Sequence, residues 1–222
     1  MSATAPALPA SSRRRRRSDG RRTYDGIVNA AADIASLEGL DALTIGTLAE
    51  RLEMSKSGLF AHFGSKEELQ LATVEAARKR YVAAVLDTAM KAPTGMARIE
   101  ALCATTLDYV ARPEFPGGCF FVATQAGVRA RAGSVRDAVT ANKGYFRRLL
   151  QRTIKEAKAR RELAAAVDPA QLAYELIAVM DAATWSTTDE RHDGDLRHAA
   201  RAVRALLDRA KRNHAKRTRA AR

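Results

Sequence analysis

A chain of 222 residues that is 46% hydrophobic and carries a net charge of +13 can bury a sizeable core, and its basic balance points to an anionic partner. No apolar run reaches the roughly 18 residues of a membrane span and no signal-type apolar stretch follows the N-terminus, so a membrane role is excluded and a cytoplasmic location is expected. Cys103 and Cys119 stand alone, without ligand spacing, which excludes a disulfide framework and a zinc site; neither a metal nor another cofactor is expected.

Gly (13) and Pro (6) are sparse while Ala, Leu, Arg and Glu abound, so the expected class is all-α. The charge is concentrated at the ends. Residues 1–22 hold seven Arg (Arg13, Arg14, Arg15, Arg16, Arg17, Arg21 and Arg22) against one Asp, residues 209–222 hold seven Lys or Arg and no acid, and the stretch between is formally neutral. Residues 1–22 read as a disordered arginine-rich arm and residues 213–222 as a basic tail, both of a kind that binds nucleic acid or simply stays solvated.

In chain order, a first helix begins near Tyr24, with Ile27, Ala31 and Ile34 on one face, and ends at Glu38-Gly39. Thr44 caps a short second helix whose Ile45, Leu48, Ala49 and Leu52 share a face. After a three-residue break Ser55 caps a third, with Leu59 and Phe63 inward, and Gly64 stops it. Ser65 and Glu68 form a capping box that opens a long fourth helix to about Lys91, before Pro93. About five more helical stretches follow: from Thr94 to about Arg112, Cys119 to Arg131, Ser134 to about Arg161, a Pro169 start to about Thr187, and Asp195 to Asn213. Ser134 with Asp137, and Asp168 before Pro169, are the capping signals among them.

Two short helices joined by a tight turn and braced by a third form the geometry that projects a recognition helix into the major groove, although the periodicity alone also suits a plain helical bundle. Ser55, Lys56, Ser57 and Gly58, at the exposed end of the third helix, are short, polar or basic, as close approach to a phosphate or base edge requires. Gly39, Leu43-Thr44-Ile45, Leu48-Ala49, Leu52, Met54 to Phe60, His62-Phe63 and Ser65 to Leu69 resemble, nearly position for position, the helix-turn-helix signature of the TetR family of bacterial regulators. The resemblance covers about residues 24–72. It implies that Thr44 bonds a phosphate and that Ser55, Lys56, Ser57 and Gly58 face base edges or nearby phosphates. It also implies that Phe60 and His62 lie against the DNA backbone and that Lys66 meets a phosphate; His62 has a plain packing role as its alternative.

Three departures from the family pattern stand out. Glu53 occupies a turn position where the family often has Gly, Gly46 interrupts the second helix, and Phe60 and Ala61 stand where Tyr is frequent. Residues 23–91 carry seven basic against ten acidic side chains. The arginine arm is therefore expected to supply the attraction for phosphate, along the backbone or in the minor groove.

The expected division is a DNA-binding domain over 23–70 and a regulatory and dimerisation domain over 71–212. The helix from Pro169 is apolar on most faces and calls for cover from a second subunit; with the last helix it would form a four-helix interface using Leu172, Leu176, Val179, Ala183, Ala199, Val203, Leu206 and Leu207. Thr106, Leu107, Val110, Phe121, Gln125, Tyr145, Tyr174 and Trp185 mix apolar bodies with polar tips and are the candidate lining of a small-molecule pocket. No catalytic constellation is visible, so no enzyme activity is expected. The expected function is a homodimeric regulator that binds double-stranded DNA at a palindromic operator and acts as a repressor released by a small-molecule effector. The alternative is a partner-controlled or non-specific DNA-binding protein that works through its basic ends without a ligand.

Overall fold

The computed structural model describes residues 10–112, 114–129, 132–185 and 192–220. All the regular structure among them is helical: α1 (Ala10–Glu38), α2 (Ile45–Arg51), α3 (Lys56–Phe60), α4 (Lys66–Tyr81), a π-helical turn (Val82–Leu86) running into α5 (Asp87–Ala89), then α6 (Met96–Ala111), α7 (Phe120–Val128), α8 (Ser134–Ala159), α9 (Pro169–Trp185) and α10 (His192–Ala220).

The expected arm is the first correction. Residues 10–22 are not irregular but form the opening turns of α1, because the stretch contains no Pro, and Arg, among the better helix formers, outweighs the single Gly20. The side chains of residues 13–17 lie outside the described residues, while Arg21 and Arg22 are exposed. At the other end α10 continues through the expected basic tail to Ala220; side chains from residue 212 onward are likewise outside the described set.

The N-terminal core is built from small residues. Ala31, Ala32 and Ala35 of α1 are fully buried, with Ile27 and Val28, and they let α4 approach closely. Leu43, Leu48, Leu59, Phe63 and Leu69 complete that core from the following elements. Gly39, at φ 82°, closes α1 by donating its N–H to the Ala35 carbonyl at 2.9 Å, a conformation that other residues adopt at a cost.

Farther along, α9 is packed among α6, α8 and α10 of the same chain. This corrects the expected interface. Leu172, Leu176, Ala183, Ala199, Val203 and Leu207 are buried within one subunit, and Val179 and Leu206 are half-buried. Three neighbours of its own chain, α6, α8 and α10, cover the buried side of α9. What α9 leaves exposed is a different stripe, Tyr174, Ala178, Ala182 and Trp185, spaced on one face.

A junction ties the two regions together. Arg80 of α4 donates to Asp33 of α1 at 2.7 Å and to the Glu114 carbonyl in the α6–α7 loop, and its guanidinium lies 3.9 Å from the Phe115 ring centroid. Two residues on, the Gly117 N–H donates to Ser36 Oγ at 3.0 Å, and Ser36 in turn donates to the Asp33 carbonyl at 2.7 Å. Gly117 sits so close that a Cβ there would run into the Ser36 carbonyl. Since that obstacle is backbone, Gly117→Ala is expected to cost about 1–3 kcal/mol, the range for overpacking a tight contact. Urea unfolding measures this, and a change below a few tenths of a kcal/mol would contradict the docked loop.

Candidate functional site

Thr44 and Thr47 cap α2 reciprocally. Thr44 Oγ1 accepts from the Thr47 N–H at 3.1 Å, and Thr47 Oγ1 accepts from the Thr44 N–H at 2.9 Å. Sequence reading found the first half only, because a threonine replaces the usual Glu or Gln three residues on. The same geometry recasts Thr44, whose hydroxyl is already engaged within the chain.

At the head of α3, Ser55 Oγ accepts from the Gly58 N–H at 3.1 Å. A Cβ on Gly58 would lie 3.0 Å from that hydroxyl, so the missing side chain lets the cap close. Ser55, Lys56 and Ser57 are exposed together while Leu59 and Phe63, behind them, are buried. The polar head of α3 thus faces outward on an apolar footing. Phe60 is 56% exposed just beyond it, a large apolar surface with no intrachain use. His62 is also exposed, its ring 6.1 Å from that of Tyr24, which itself stacks obliquely on Phe63. Lys66 is exposed, but its ammonium donates to the Asp41 carbonyl at 2.7 Å, bracing the start of α4 against the α1–α2 loop. The expected contact side chains therefore share one solvent-facing surface, with Thr44 and Lys66 doing structural work at its edge.

Glu53 lies in the turn between α2 and α3 with φ 52°, a left-handed conformation that disfavours any residue with a side chain. The turn needs that conformation, and the sequence meets the need without glycine.

The second feature is a cavity of about 290 Å³, open on one side and lined by α4, α6, α7, α8 and α9. Thr106, Val110, Phe121 and Gln125 line it as expected. Four other candidates do not. Tyr145, Tyr174 and Trp185 are 51%, 64% and 65% exposed, and Leu107 faces a separate groove against α10. An apolar body with a polar tip suits a solvent-facing position as well as a lining one, and these three project from the outer faces of α8 and α9.

The residues that sequence reading missed give the cavity its chemistry. Tyr81, at the end of α4, meets Tyr109 and Phe121 edge to face at centroid distances of 5.4 and 6.0 Å. Burial holds both phenols well above their ordinary range, so both stay protonated donors. The Tyr109 hydroxyl makes no hydrogen bond of ordinary geometry among the described residues, with only the Cys119 thiol beside it. Cys119 lies in the wall, and burial pushes its thiol up; that of Cys103 is pushed up to about 12, so neither is a ready thiolate. Lys143 and Arg147 of α8 and Asp181 of α9 also line the space, with Lys143 Nζ 2.6 Å from Asp181 Oδ2. One signal was legible: Asp181 is, with Glu175, one of two acids in an otherwise apolar helix.

The cavity and the exposed surface are linked by α4. Its 16 residues span about 24 Å at the ordinary rise. The N-terminal end follows α3, with Leu69 in the same core, and the other end presents Tyr81 to the cavity. Ser134, expected as a helix cap, instead bonds across to Glu67 near the start of α4, while Gly133 takes the cap position of α8.

Comparison with known proteins agrees with this organisation. Residues 27–73 match the family model described as bacterial regulatory proteins, tetR family, and residues 95–206 match that of the tetracyclin repressor-like C-terminal domain. No curated protein matches the chain. Among solved structures, a TetR transcriptional regulator of Chloroflexus aurantiacus superposes with a TM-score of 0.77 at 24% identity, over 86% of this chain and 95% of that one. A TetR-family regulator of Streptomyces coelicolor gives 0.71 at 19% identity, over 86% and 95%. AibR, crystallised with isovaleryl coenzyme A and operator DNA, gives 0.63 at 19% identity, over 80% and 95%. At these identities the likeness is one of fold.

Glu53 yields a test of the turn. Glu53→Gly is expected to stabilise the chain by about 0.5–1 kcal/mol, the relief of left-handed strain less the entropy of a freer unfolded chain. Thermal unfolding should show a midpoint raised by a few degrees. DNA titration at low salt should also show tighter binding, because an exposed acid next to α3 is removed. A lowered midpoint would contradict the assigned turn geometry.

Proposed function

Because the chain belongs to the TetR family of bacterial regulatory proteins, and so is a DNA-binding transcriptional regulator, we propose that it works as a homodimeric repressor released by a small-molecule effector. Two α3 heads, one from each subunit, enter successive major grooves of a palindromic operator about 34–36 Å apart. Ser55, Lys56 and Ser57 meet bases or phosphates, Phe60 and His62 lie against the backbone, and Thr44 and Lys66 turn to phosphate where their intrachain bonds exchange. The arginine-bearing start of α1 adds sequence-independent attraction, which releases counterions from the duplex. A DNA partner implies residence in the cytoplasm.

The observation that carries this reading is the outward head of α3 on a buried Leu59–Phe63 footing, joined through α4 to a cavity wall at Tyr81. An effector that favours one position of Tyr81 biases the position of α3 at the other end of the same helix. A fold neighbour, AibR, was crystallised with both a small ligand and operator DNA, which supports a fold able to accommodate both.

The basic ends favour a second reading, in which binding is largely indifferent to sequence. Competition separates the two. Fragments flanking the protein's own gene are expected to be bound selectively over random duplex, and Lys56→Ala with Ser57→Ala to abolish that preference. Removing residues 1–22 is expected to weaken binding to every duplex alike and to flatten its salt dependence. Equal binding of all fragments by the full chain would establish the second reading.

For the dimer, the stripe of Tyr174, Ala178, Ala182 and Trp185 is the apolar surface that a second copy covers, replacing the buried residues first expected there. Tyr174→Glu combined with Trp185→Glu should convert the dimer to monomer in sedimentation and lose operator binding, with the helical signal unchanged. A dimer persisting in that variant would place the interface elsewhere.

A further inference from the structure

We infer that the cavity takes a small carboxylate with an apolar body and one hydrogen-bond acceptor within it, the carboxylate held at the mouth by Arg147 and Lys143 and the acceptor by the Tyr109 hydroxyl. The inference rests on the effector-pocket reading above and names the chemistry of its ligand.

Size sets the first limit. At about 290 Å³ and open on one side, the space lies near the lower end of the range for small-molecule pockets. A single ring with a short chain fits inside. Val110, Phe121, Phe146, Ile177 and Met180 supply apolar wall to such a body.

Charge sets the second. The lining carries two cations and one acid, a surplus of one positive charge. Lys143 is matched by Asp181 at 2.6 Å, whereas Arg147, one turn farther along α8, has no ion-pair partner among the described residues. Gly144, between them in sequence, also lines the space. One carboxylate restores balance, and a planar guanidinium grips it through two parallel hydrogen bonds. An amine would meet two like charges, and a neutral molecule would leave the surplus uncompensated.

The third limit comes from Tyr109. It is only 5% exposed, and its hydroxyl makes no hydrogen bond of ordinary geometry among the described residues, with only the Cys119 thiol, a weak acceptor, beside it. A buried donor left unsatisfied costs about 1–3 kcal/mol, which a ligand oxygen recovers on binding. Burial keeps that phenol protonated, so it seeks an acceptor and not another donor.

Three probes isolate these demands: 4-oxo-4-phenylbutanoate, 4-phenylbutanoate, which lacks the keto oxygen, and the methyl ester of the oxo acid, which lacks the charge. Calorimetric titration of the full-length protein is expected to rank the oxo acid at least tenfold tighter than its ester. In Arg147→Gln, an exposed position where folding is not at stake, that ratio should collapse toward one, and in Lys143→Met it should fall part of the way. In Tyr109→Phe the advantage of the oxo acid over 4-phenylbutanoate should vanish while its advantage over the ester persists. An ester that binds the wild type as tightly as the acid, an unchanged ratio in Arg147→Gln, or no binding of the oxo acid at millimolar concentration would overturn the carboxylate assignment. The effector reading is judged separately by operator affinity. An ester that binds and releases DNA preserves that reading without the carboxylate, whereas an acid that binds through Arg147 and leaves operator affinity unchanged preserves the ligand class and removes the coupling.

Discussion

The position of α4 is the constraint on which the rest of the molecule depends. One end of this helix belongs to the core beneath α3 and the other end is cavity wall, so neither region can rearrange without involving it. Alanines at 31, 32 and 35 bring α1 against it closely enough for the Arg80–Asp33 pair to form. That pair is partly exposed, and its Coulomb energy in isolation is modest. Its weight comes from company: the same guanidinium also holds the Glu114 carbonyl and covers the Phe115 ring, so one side chain joins α1, α4 and the loop leading into α7.

The loop is held as firmly from the opposite side. Gly117 donates to Ser36 in a place with no room for a side chain, and two residues later the chain reaches Cys119, in the cavity wall. A second tie, Ser134 to Glu67, connects the start of α8 to the start of α4. Two of the elements that bound the cavity thus also hold the N-terminal region, α7 against α1 and α8 against α4. Immediately after Tyr81 the α-helical ladder gives way to a π-helical turn, a wider backbone arrangement that often marks functional positions in helices.

Much of the fold was legible because local rules agree along this chain. Ser65 with Glu68 and Asp168 before Pro169 cap helices as their types dictate, with Gly64 N–H donating to Glu68 at 2.8 Å and Ala170 N–H to Asp168 at 2.8 Å. The head of α3 was legible for the same reason: Ser55 and Gly58 serve both the cap and the exposed surface. Failures came where a property is set by neighbours distant in sequence. An apolar α9 says that cover is needed but not whose, and its own chain supplied it, leaving Tyr174 and Trp185 outside. Lys143 and Arg147 look like ordinary surface charges until α9 brings Asp181 across to them. The arginine run was read as irregular from charge alone, although helix propensity favours the continuous α1 that forms.

Energetic scale decides how such a protein can switch. Moving a two-state equilibrium from about 1:99 to 99:1 requires roughly 5.5 kcal/mol of differential affinity, and total binding strength that is equal in both states contributes nothing. A ligand of one ring and a short chain has limited free energy to divide, since small ligands gain on the order of 0.3–1.5 kcal/mol per atom at best. One cavity of this size would therefore have to place most of its affinity in the difference between states. In the proposed dimer two cavities act on one DNA-bound arrangement, and each needs to supply only about half of that differential. Contacts that form in one state alone are the efficient source. The Tyr109 hydroxyl, with only a thiol beside it, is suited to that role, because the edge-to-face packing of its ring on Tyr81 places the ligand's hydrogen bond directly against the end of α4.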